Sequence, residues 1–196
     1  MSQFSQLLLD YVQKNTDDKK EIEQALWQRY GVEQAVMILD MSGFSLMTQK
    51  YGIIHYLSMV QRMQAATKPV IERYRGHVVK FEADNCFAHF ESVSDAIHAA
   101  VTINHTLDGI NMMTDKIFDI KVSCGIDYGK FLLVDDLDFF GDPVNRASKL
   151  GEDISSAGEI LVSKEAMATV LDEKIKTAEV QYSISGITIE AHLIQY

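Results

Sequence analysis

The order of the apolar patterns along residues 35–134 constrains the fold of this chain more than any other feature. These patterns predict, in order, a buried strand at 35–40, a helical stretch ending near 74, strands at 77–82 and 86–90, a helix at 93–107 and strands within 118–134. Strand, helix, hairpin, helix and strand in this order predict an α+β domain with a ferredoxin-like βαββαβ core.

The segments around this core predict further helices and strands. Residues 2–30 are typical of two short helices, with Thr16 or Asp17 as the N-cap of the second. A turn at Asp127-Tyr128-Gly129 is expected to divide the last core region into two strands. A helix from about Pro143, a strand at 160–162 and a closing hairpin ending at Tyr196 follow. We therefore expect an N-terminal helical extension (1–32) and one larger domain (33–196).

Composition and charge exclude several classes of protein. Of the 196 residues, 47% are apolar and 23% are charged, which is typical of a soluble globular protein. The formal net charge of −10 argues against binding to nucleic acid or to an anionic membrane. No signal peptide or membrane-spanning run is recognisable, and Cys86 and Cys124 lie in strand-like runs where buried free thiols are expected. These features predict a cytoplasmic protein.

Two aspartates lie beside the apolar strands of the predicted core. Asp40 follows the run 35–39, and Asp84 lies between the two strands of the predicted hairpin. Carboxylates at the ends of neighbouring strands suit Mg²⁺, which binds one or two carboxylates together with substrate phosphates. Taken alone, an aspartate after a buried strand, such as Asp40, more often caps the next helix than binds a metal. The pair makes metal-dependent nucleotide chemistry the leading hypothesis.

Four segments carry a resemblance to a known family. With their positions, they are LDMSGFS (39–45), VKFEAD (79–84), DFFGDPVNRASKL (138–150) and AGEILVS (157–163). In this order and at these separations they resemble the class III adenylyl/guanylyl (nucleotidyl) cyclase catalytic domain. The resemblance covers about residues 33–196.

The resemblance implies a role for each matching residue. Asp40, Asp84 and the backbone carbonyl of Met41 would hold two divalent ions, Mg²⁺ or Mn²⁺, in each site. Backbone N–H groups at Gly43 and Phe44 would bind phosphate oxygens. The remaining matches would contact the nucleoside and the α-phosphate. Asn145 would orient the ribose, Lys149 would bind the α-phosphate, and Lys80 and Asp138 would read the base.

The implied reaction converts ATP to 3′,5′-cyclic AMP and pyrophosphate by in-line attack of the 3′-hydroxyl on the α-phosphate. In this family the metal aspartates and the base-reading residues of one site come from two different catalytic domains. This chain carries both sets, which implies a head-to-tail homodimer with two equivalent sites.

Three departures from the family pattern leave other readings open. Lys149 stands where the family has arginine, Ser185 where many relatives have a phosphate-binding lysine, and Ala83 where glycine is usual. Lysine keeps the positive charge but loses the bidentate guanidinium. We expect Arg146 to face elsewhere and to be a poor substitute. A catalytically degenerate module that binds nucleotide or a partner protein is therefore an alternative.

The choice of base also stays open at the level of hydrogen bonding. A lysine donor beside an aspartate acceptor fits N1 and the N6 amine of adenine, but it also fits N3 and N4 of cytosine, and guanine if the base is shifted. Guanylyl cyclases usually have glutamate at the position of Lys80, which favours ATP. A guanylate or pyrimidine nucleotide cyclase is the enzymatic alternative.

Overall fold

The computed structural model describes residues 2–184 and 187–196, without the side chains of residues 44–46, 184 and 187. The described strands are β1 (Gly31–Met41), β2 (His77–Glu82), β3 (Asn85–Phe90), β4 (Val122–Val134), β5 (Asp138–Phe140), β6 (Ile160–Ser163), β7 (Lys176–Ile184) and β8 (Ile187–Gln195). The described helices are α1 (Gln3–Gln13), α2 (Thr16–Tyr30), α3 (Phe44–Tyr51), α4 (Ile53–Arg73), α5 (Val93–Asn111), α6 (Asp142–Ser148) and α7 (Lys164–Met167). A 3₁₀ turn spans Lys116–Phe118, and a π-helical turn spans Lys149–Ile154.

One mixed sheet organises the described chain. Its strands lie in the order β2-β3-β1-β4-β6-β8-β7, and β5 pairs with the end of β4. Strands β1 to β4 alternate with α3, α4 and α5 as a βαββαβ unit, so the predicted α+β class and ferredoxin-like core are confirmed. The predicted C-terminal hairpin is also present, because β7 pairs with β8 in antiparallel register.

Strand β1 is the centre of the core because both of its faces are covered. Its residues alternate between two apolar clusters: Met37 and Leu39 pack beneath α4 and α5, whereas Val36 and Ile38 pack against Phe131 and the α6 side. A strand buried on both faces requires a continuous apolar run, which is why 35–39 shows no polar alternation. Each face of the sheet thus carries its own helices.

Two local expectations were wrong. Strand β4 runs without interruption through Asp127–Gly129, because these residues continue the antiparallel register with Val36, Ala35 and Gln34 of the long strand β1. The N-cap of α2 is Asn15, whose side chain accepts hydrogen bonds from the N–H groups of Asp17 and Asp18, both at 3.1 Å. Asparagine is among the best N-caps, which explains its advantage over the threonine that follows.

The N-terminal helices pack on the end of β4 that leads into β5. Leu26 and Tyr30 of α2 are buried against Val134. The ring of Phe4 in α1 meets Tyr30 edge-on and stacks on Phe140 of β5, with ring centroids 5.3 and 5.8 Å apart. The extension therefore touches the strand that begins with Asp138.

Two further observations concern the cysteines and the helices. Cys86 and Cys124 are free and buried, as predicted. Among the described residues, no helix combines the length and the apolar character needed to cross a bilayer.

Candidate active site

The strand pairing of β1 brings Asp40 and Asp84 together. Asp40 lies opposite Asn85, the first residue of β3, and Asp84 occupies the turn just before it. The N–H of Met41 donates to the carbonyl oxygen of Asp84 at 3.3 Å, which ties the two segments to each other. Two carboxylates distant in sequence thus share one edge of the sheet, as the sequence predicts.

Negative charge is concentrated around this pair. Burial, followed by the carboxylates of Asp84 and Glu152, raises the pKa of Asp40 to about 6. The pKa of Tyr56 rises to about 12, through burial first and then through the charge of Asp84 and a hydrogen bond to it. Crowded, partly desolvated carboxylates favour a bound cation. The neighbours Glu152 and Tyr56 carry no sequence signal that links them to this site.

The donor set fits a hard divalent ion. Asp40 and Asp84 offer carboxylate oxygens, and Met41, directly after Asp40, offers its backbone carbonyl. In the described part of the chain, no group of three or more His, Cys, Asp or Glu side chains is arranged to hold a metal. A site with two carboxylates suits Mg²⁺ or Mn²⁺, which complete their shells with water and substrate phosphates rather than with a full protein cage.

The turn after β1 opens α3 beside the aspartates. Gly43 has a φ of +89° and is the N-cap residue of α3, which begins at Phe44. This left-handed conformation favours glycine. The first N–H groups of a helix have no partner within the helix and can bind anionic oxygens. The predicted phosphate-binding backbone at Gly43 and Phe44 therefore lies at a helix start.

Lys80 and Asp138, predicted to read the base, are in direct contact. Lys80 Nζ in β2 lies 3.2 Å from Asp138 Oδ1 at the start of β5. The same ammonium is 3.0 Å from Glu82 Oε2 and lies 5.1 Å from the ring centroid of Phe87. The carboxylates of Glu82 and Asp138 raise the pKa of Lys80. They outweigh the burial of the side chain, which lowers it. Sequence reasoning missed Glu82 and Phe87 as parts of this cluster.

Asp138 is itself oriented by the backbone. Its Oδ1 accepts a hydrogen bond from the N–H of Phe139 at 2.9 Å. The two preceding acidic residues, Asp135 and Asp136, have positive φ values of 52° and 55° and form the turn between β4 and β5. No hydrogen bond or ion pair among the described residues joins the Lys80–Asp138 cluster to the Asp40–Asp84 cluster.

Helix α6 presents the remaining predicted residues. Pro143 lies in its first turn, as expected, and Asn145 is exposed on it. Lys149 begins the π-helical turn that follows. Arg146 and Lys149 line the same groove of about 450 Å³, so the expectation that Arg146 faces elsewhere is wrong. Residues three apart on a helix share a face, and the groove lies along that face. Ser185 lies outside the described residues.

A buried carboxylate explains how Arg146 is held. Asp127 of β4 is fully buried, and its Oδ2 accepts from Arg146 Nε at 2.6 Å. Its Oδ1 accepts from the hydroxyl of Ser163 at the end of β6. Burial raises the pKa of Asp127, while the hydroxyl, the Tyr128 N–H and the guanidinium lower it. Sequence reasoning assigned Asp127 to a turn and so missed this contact.

Solved structures of cyclase domains share this fold. The adenylate/guanylate cyclase/hydrolase from Silicibacter pomeroyi superposes with a TM-score of 0.66 at 26% identity, covering 84% of this chain and 95% of that one. The adenylyl cyclase CyaB from P. aeruginosa superposes with a TM-score of 0.70 at 18% identity, covering 85% and 96%.

Sequence comparisons point the same way. A Rhizobium meliloti (strain 1021) protein named "Putative adenylate cyclase 3" is 23% identical over 129 residues, which is 66% of this chain and 22% of that protein. The chain therefore spans about a fifth of the length of this relative. The model of the family described as adenylate and guanylate cyclase catalytic domain matches residues 28–195. The chain belongs to the adenylate and guanylate cyclase catalytic domain family.

Proposed function

We propose that this protein is an adenylate cyclase that converts ATP to 3′,5′-cyclic AMP and pyrophosphate. The observation that carries the choice of base is the contact between Lys80 Nζ and Asp138 Oδ1 at 3.2 Å. An ammonium donor beside a carboxylate acceptor complements adenine, which presents the N1 acceptor next to the N6 amine. A guanine would have to shift to meet the same two groups, because its neighbouring atoms are the O6 acceptor and the N1–H donor.

The catalytic unit in this proposal is a homodimer of residues 33–196, with 1–32 as a helical extension. Two observations support two-chain sites: among the described residues of one chain, no hydrogen bond or ion pair joins the metal-binding and base-reading clusters, and each chain carries both. In a head-to-tail pair of chains, the metal-binding cluster of each chain would face the base-reading cluster of the other, which makes two sites. We place this dimer in the cytoplasm.

The chain's own residues would divide the chemistry as follows. Asp40, Asp84 and the Met41 carbonyl would hold Mg²⁺ or Mn²⁺. When bound, such ions supply positive charge that favours ionisation of the ribose 3′-hydroxyl and neutralises the phosphates. The N–H groups at Gly43 and Phe44 would bind phosphate oxygens, and the Asn145 amide would orient the ribose. Lys149 would offset charge on the α-phosphate while the 3′-oxygen forms its new P–O bond and pyrophosphate departs.

Product analysis tests the proposal directly. The protein is incubated with ATP, GTP, CTP or UTP, each with Mg²⁺ and then with Mn²⁺, and the products are separated by chromatography. We expect cyclic AMP from ATP, lost in Asp84→Asn and kept in the matched control Asp115→Asn, whose exposed side chain lies outside the site. A different cyclic product would refute the adenine assignment. Nucleotide binding without any turnover, from a protein shown to be dimeric, would establish the degenerate module instead.

A further inference from the structure

The groove beside α6 is lined by several charged side chains. It is lined by side chains from α6, the π-helical turn, β6, α7 and β8, and the residues that matter here are Arg146, Lys149, Ser163, Lys164, Glu165 and Glu190. Lys164 and Glu190 offset each other, because Lys164 Nζ lies 2.6 Å from Glu190 Oε2. Of the remaining charged groups, Arg146 and Lys149 are cationic, Glu165 is anionic, and the buried Asp127 pairs with Arg146.

Arg146 is anchored by an ion pair through Nε, and its side chain is partly exposed. Its Nε contacts the fully buried Asp127, while 46% of its own side chain is exposed. Among the residues that the structure describes, neither Nη1 nor Nη2 of Arg146 donates to a protein acceptor. A guanidinium fixed through Nε keeps its planar pair of terminal amino groups available for a bidentate acceptor.

Lys149 supplies the second cation on the same face. It follows Arg146 by three residues and has no ion-pair partner among the described residues. A fork of two N–H donors beside a point charge matches phosphate oxygens, which accept bidentate guanidinium bonds and are favoured by a neighbouring ammonium. A carboxylate ligand would satisfy the fork but would leave the ammonium without a third oxygen.

We infer that Arg146 and Lys149 together bind a polyphosphate chain, and that Asp127 and Ser163 are positioning residues that aim the Arg146 guanidinium. The identity of the ligand rests on the proposed function, in which the polyphosphate is that of the nucleoside triphosphate and of the pyrophosphate product. Arg146 would then supply the planar donor group that Lys149 lacks.

Calorimetric titration with inorganic pyrophosphate, in EDTA, isolates this site from the metal-binding aspartates. We expect Arg146→Lys to weaken pyrophosphate binding by roughly tenfold and Arg146→Gln by more, because the bidentate donors and then the charge are lost. The matched control is Arg75→Lys: Arg75 Nη2 also contacts an aspartate, lying 2.8 Å from both carboxylate oxygens of Asp95, and neither residue lines the groove. This control should bind pyrophosphate as the wild type does.

The positioning role of Asp127 has its own readout. Asp127→Asn should weaken pyrophosphate binding by the folded protein, whereas a purely structural role would lower the melting temperature and leave the affinity unchanged. If that variant does not fold, Ser163→Ala, which removes the hydroxyl that donates to Asp127, should weaken pyrophosphate binding, and wild-type affinity in this folded variant would refute the positioning role.

The outcomes separate this inference from the proposed function. Wild-type affinity in Arg146→Gln, or absence of pyrophosphate binding by the folded wild type, would overturn the inference even if cyclic AMP is formed. Weakened pyrophosphate binding in the Arg146 variants, in a protein that forms no cyclic nucleotide, would support the inference and refute the cyclase.

Discussion

At the scale of single residues, Lys80 shows how neighbours limit what one ammonium can recognise. Its Nζ lies within 3.2 Å of carboxylate oxygens of both Glu82 and Asp138. A base that binds here shares an ammonium already held by two carboxylates, so the geometry of the cluster matters as much as the charge of the lysine. Changing the polarity of Lys80 and Asp138, the two residues proposed to read the base, should therefore change the base.

The double variant Lys80→Glu with Asp138→Ser is expected to shift preference from ATP towards GTP. A carboxylate at position 80 can accept from the N1–H and N2 amine of guanine, and the smaller side chain at 138 leaves room for the shifted base. The ratio of cyclic GMP to cyclic AMP should rise by at least about tenfold. Rates with each triphosphate measure this ratio.

The control for this base swap is Glu82→Gln, which keeps Lys80 and Asp138. It should retain the preference for ATP. An unchanged product ratio in the double variant would show that the Lys80–Asp138 contact does not read the base.

A second residue-scale feature is the buried imidazole of His89. Its ring stacks on that of His77, with centroids 5.2 Å apart, beside a cavity that is also lined by Lys68, Glu72 and Asp136. Burial, and next the charge of His77, lowers the pKa of His89, while Asp136 opposes this shift. Among the described residues, its Nδ1 has no hydrogen-bond partner. The fold thus favours the neutral form of His89.

Stability should fall as the pH drops through this histidine's range. Above the unfolded-state pKa of about 6.5, His89 is neutral in both states; below it, the unfolded chain takes up a proton that the folded protein resists. The free energy of unfolding should therefore decrease between about pH 7.5 and 5.5, and decrease less in His89→Gln. Urea unfolding at several pH values measures this. The exposed His105→Gln is the control, and equal pH dependence in all three proteins would contradict the assignment.

At the scale of elements, the contact between β4 and the α6 segment positions Arg146 and Lys149. A methyl group at Gly125 of β4 would lie 2.0 Å from the carbonyl oxygen of Ala147 and 2.4 Å from the N–H nitrogen of Gly151. Both are backbone atoms and cannot rotate away. Gly125 therefore permits a backbone approach that seats Arg146 and Lys149 over the sheet.

Gly125→Ala should destabilise the protein by at least about 3 kcal/mol, because helix and strand must separate to admit the methyl group. Gly109→Ala in α5 is the matched substitution: a methyl group there meets no atom within 4 Å. It should stabilise the protein by about 0.5 to 1 kcal/mol through a lower entropy of the unfolded chain. Free energies from urea unfolding compare the two, and a mild effect at Gly125 would show that α6 is loosely seated.

At the scale of the whole molecule, the proposed dimer makes each active site a product of two chains. One chain would supply Asp40 and Asp84 and the other Lys80, Asp138 and Asn145. Two chains with different defects could then complete one intact site between them. This is a property that no site within a single chain can have.

A mixture of Asp84→Asn and Asn145→Ala is therefore expected to recover activity that neither variant shows alone. With random exchange, half of the dimers are mixed and each has one intact site of two, which gives about a quarter of the wild-type rate. Cyclic AMP formation after co-refolding measures the recovery. A mixture as inactive as its components, in a sample shown to exchange chains, would contradict shared sites.

The sequence by itself determined the order of the helices and strands and the proximity of Asp40 and Asp84. Apolar periodicity is a local property, so the βαββαβ order could be predicted from it. Asp40 and Asp84 adjoin strand ends in the chain, and a sheet brings such ends together, so their proximity could also be predicted. The family resemblance paired Lys80 with Asp138 as base-reading residues, and the structure adds their contact.

Only the tertiary structure decided the surroundings of these residues. The contact of Arg146 with Asp127 and the effect of Glu152 on Asp40 join positions far apart in the chain. The continuity of β4 through Gly129 depends on eleven residue pairs with β1, against a local turn signal. Burial, register and close backbone approach arise from packing across the sheet, and no short stretch of sequence encodes them.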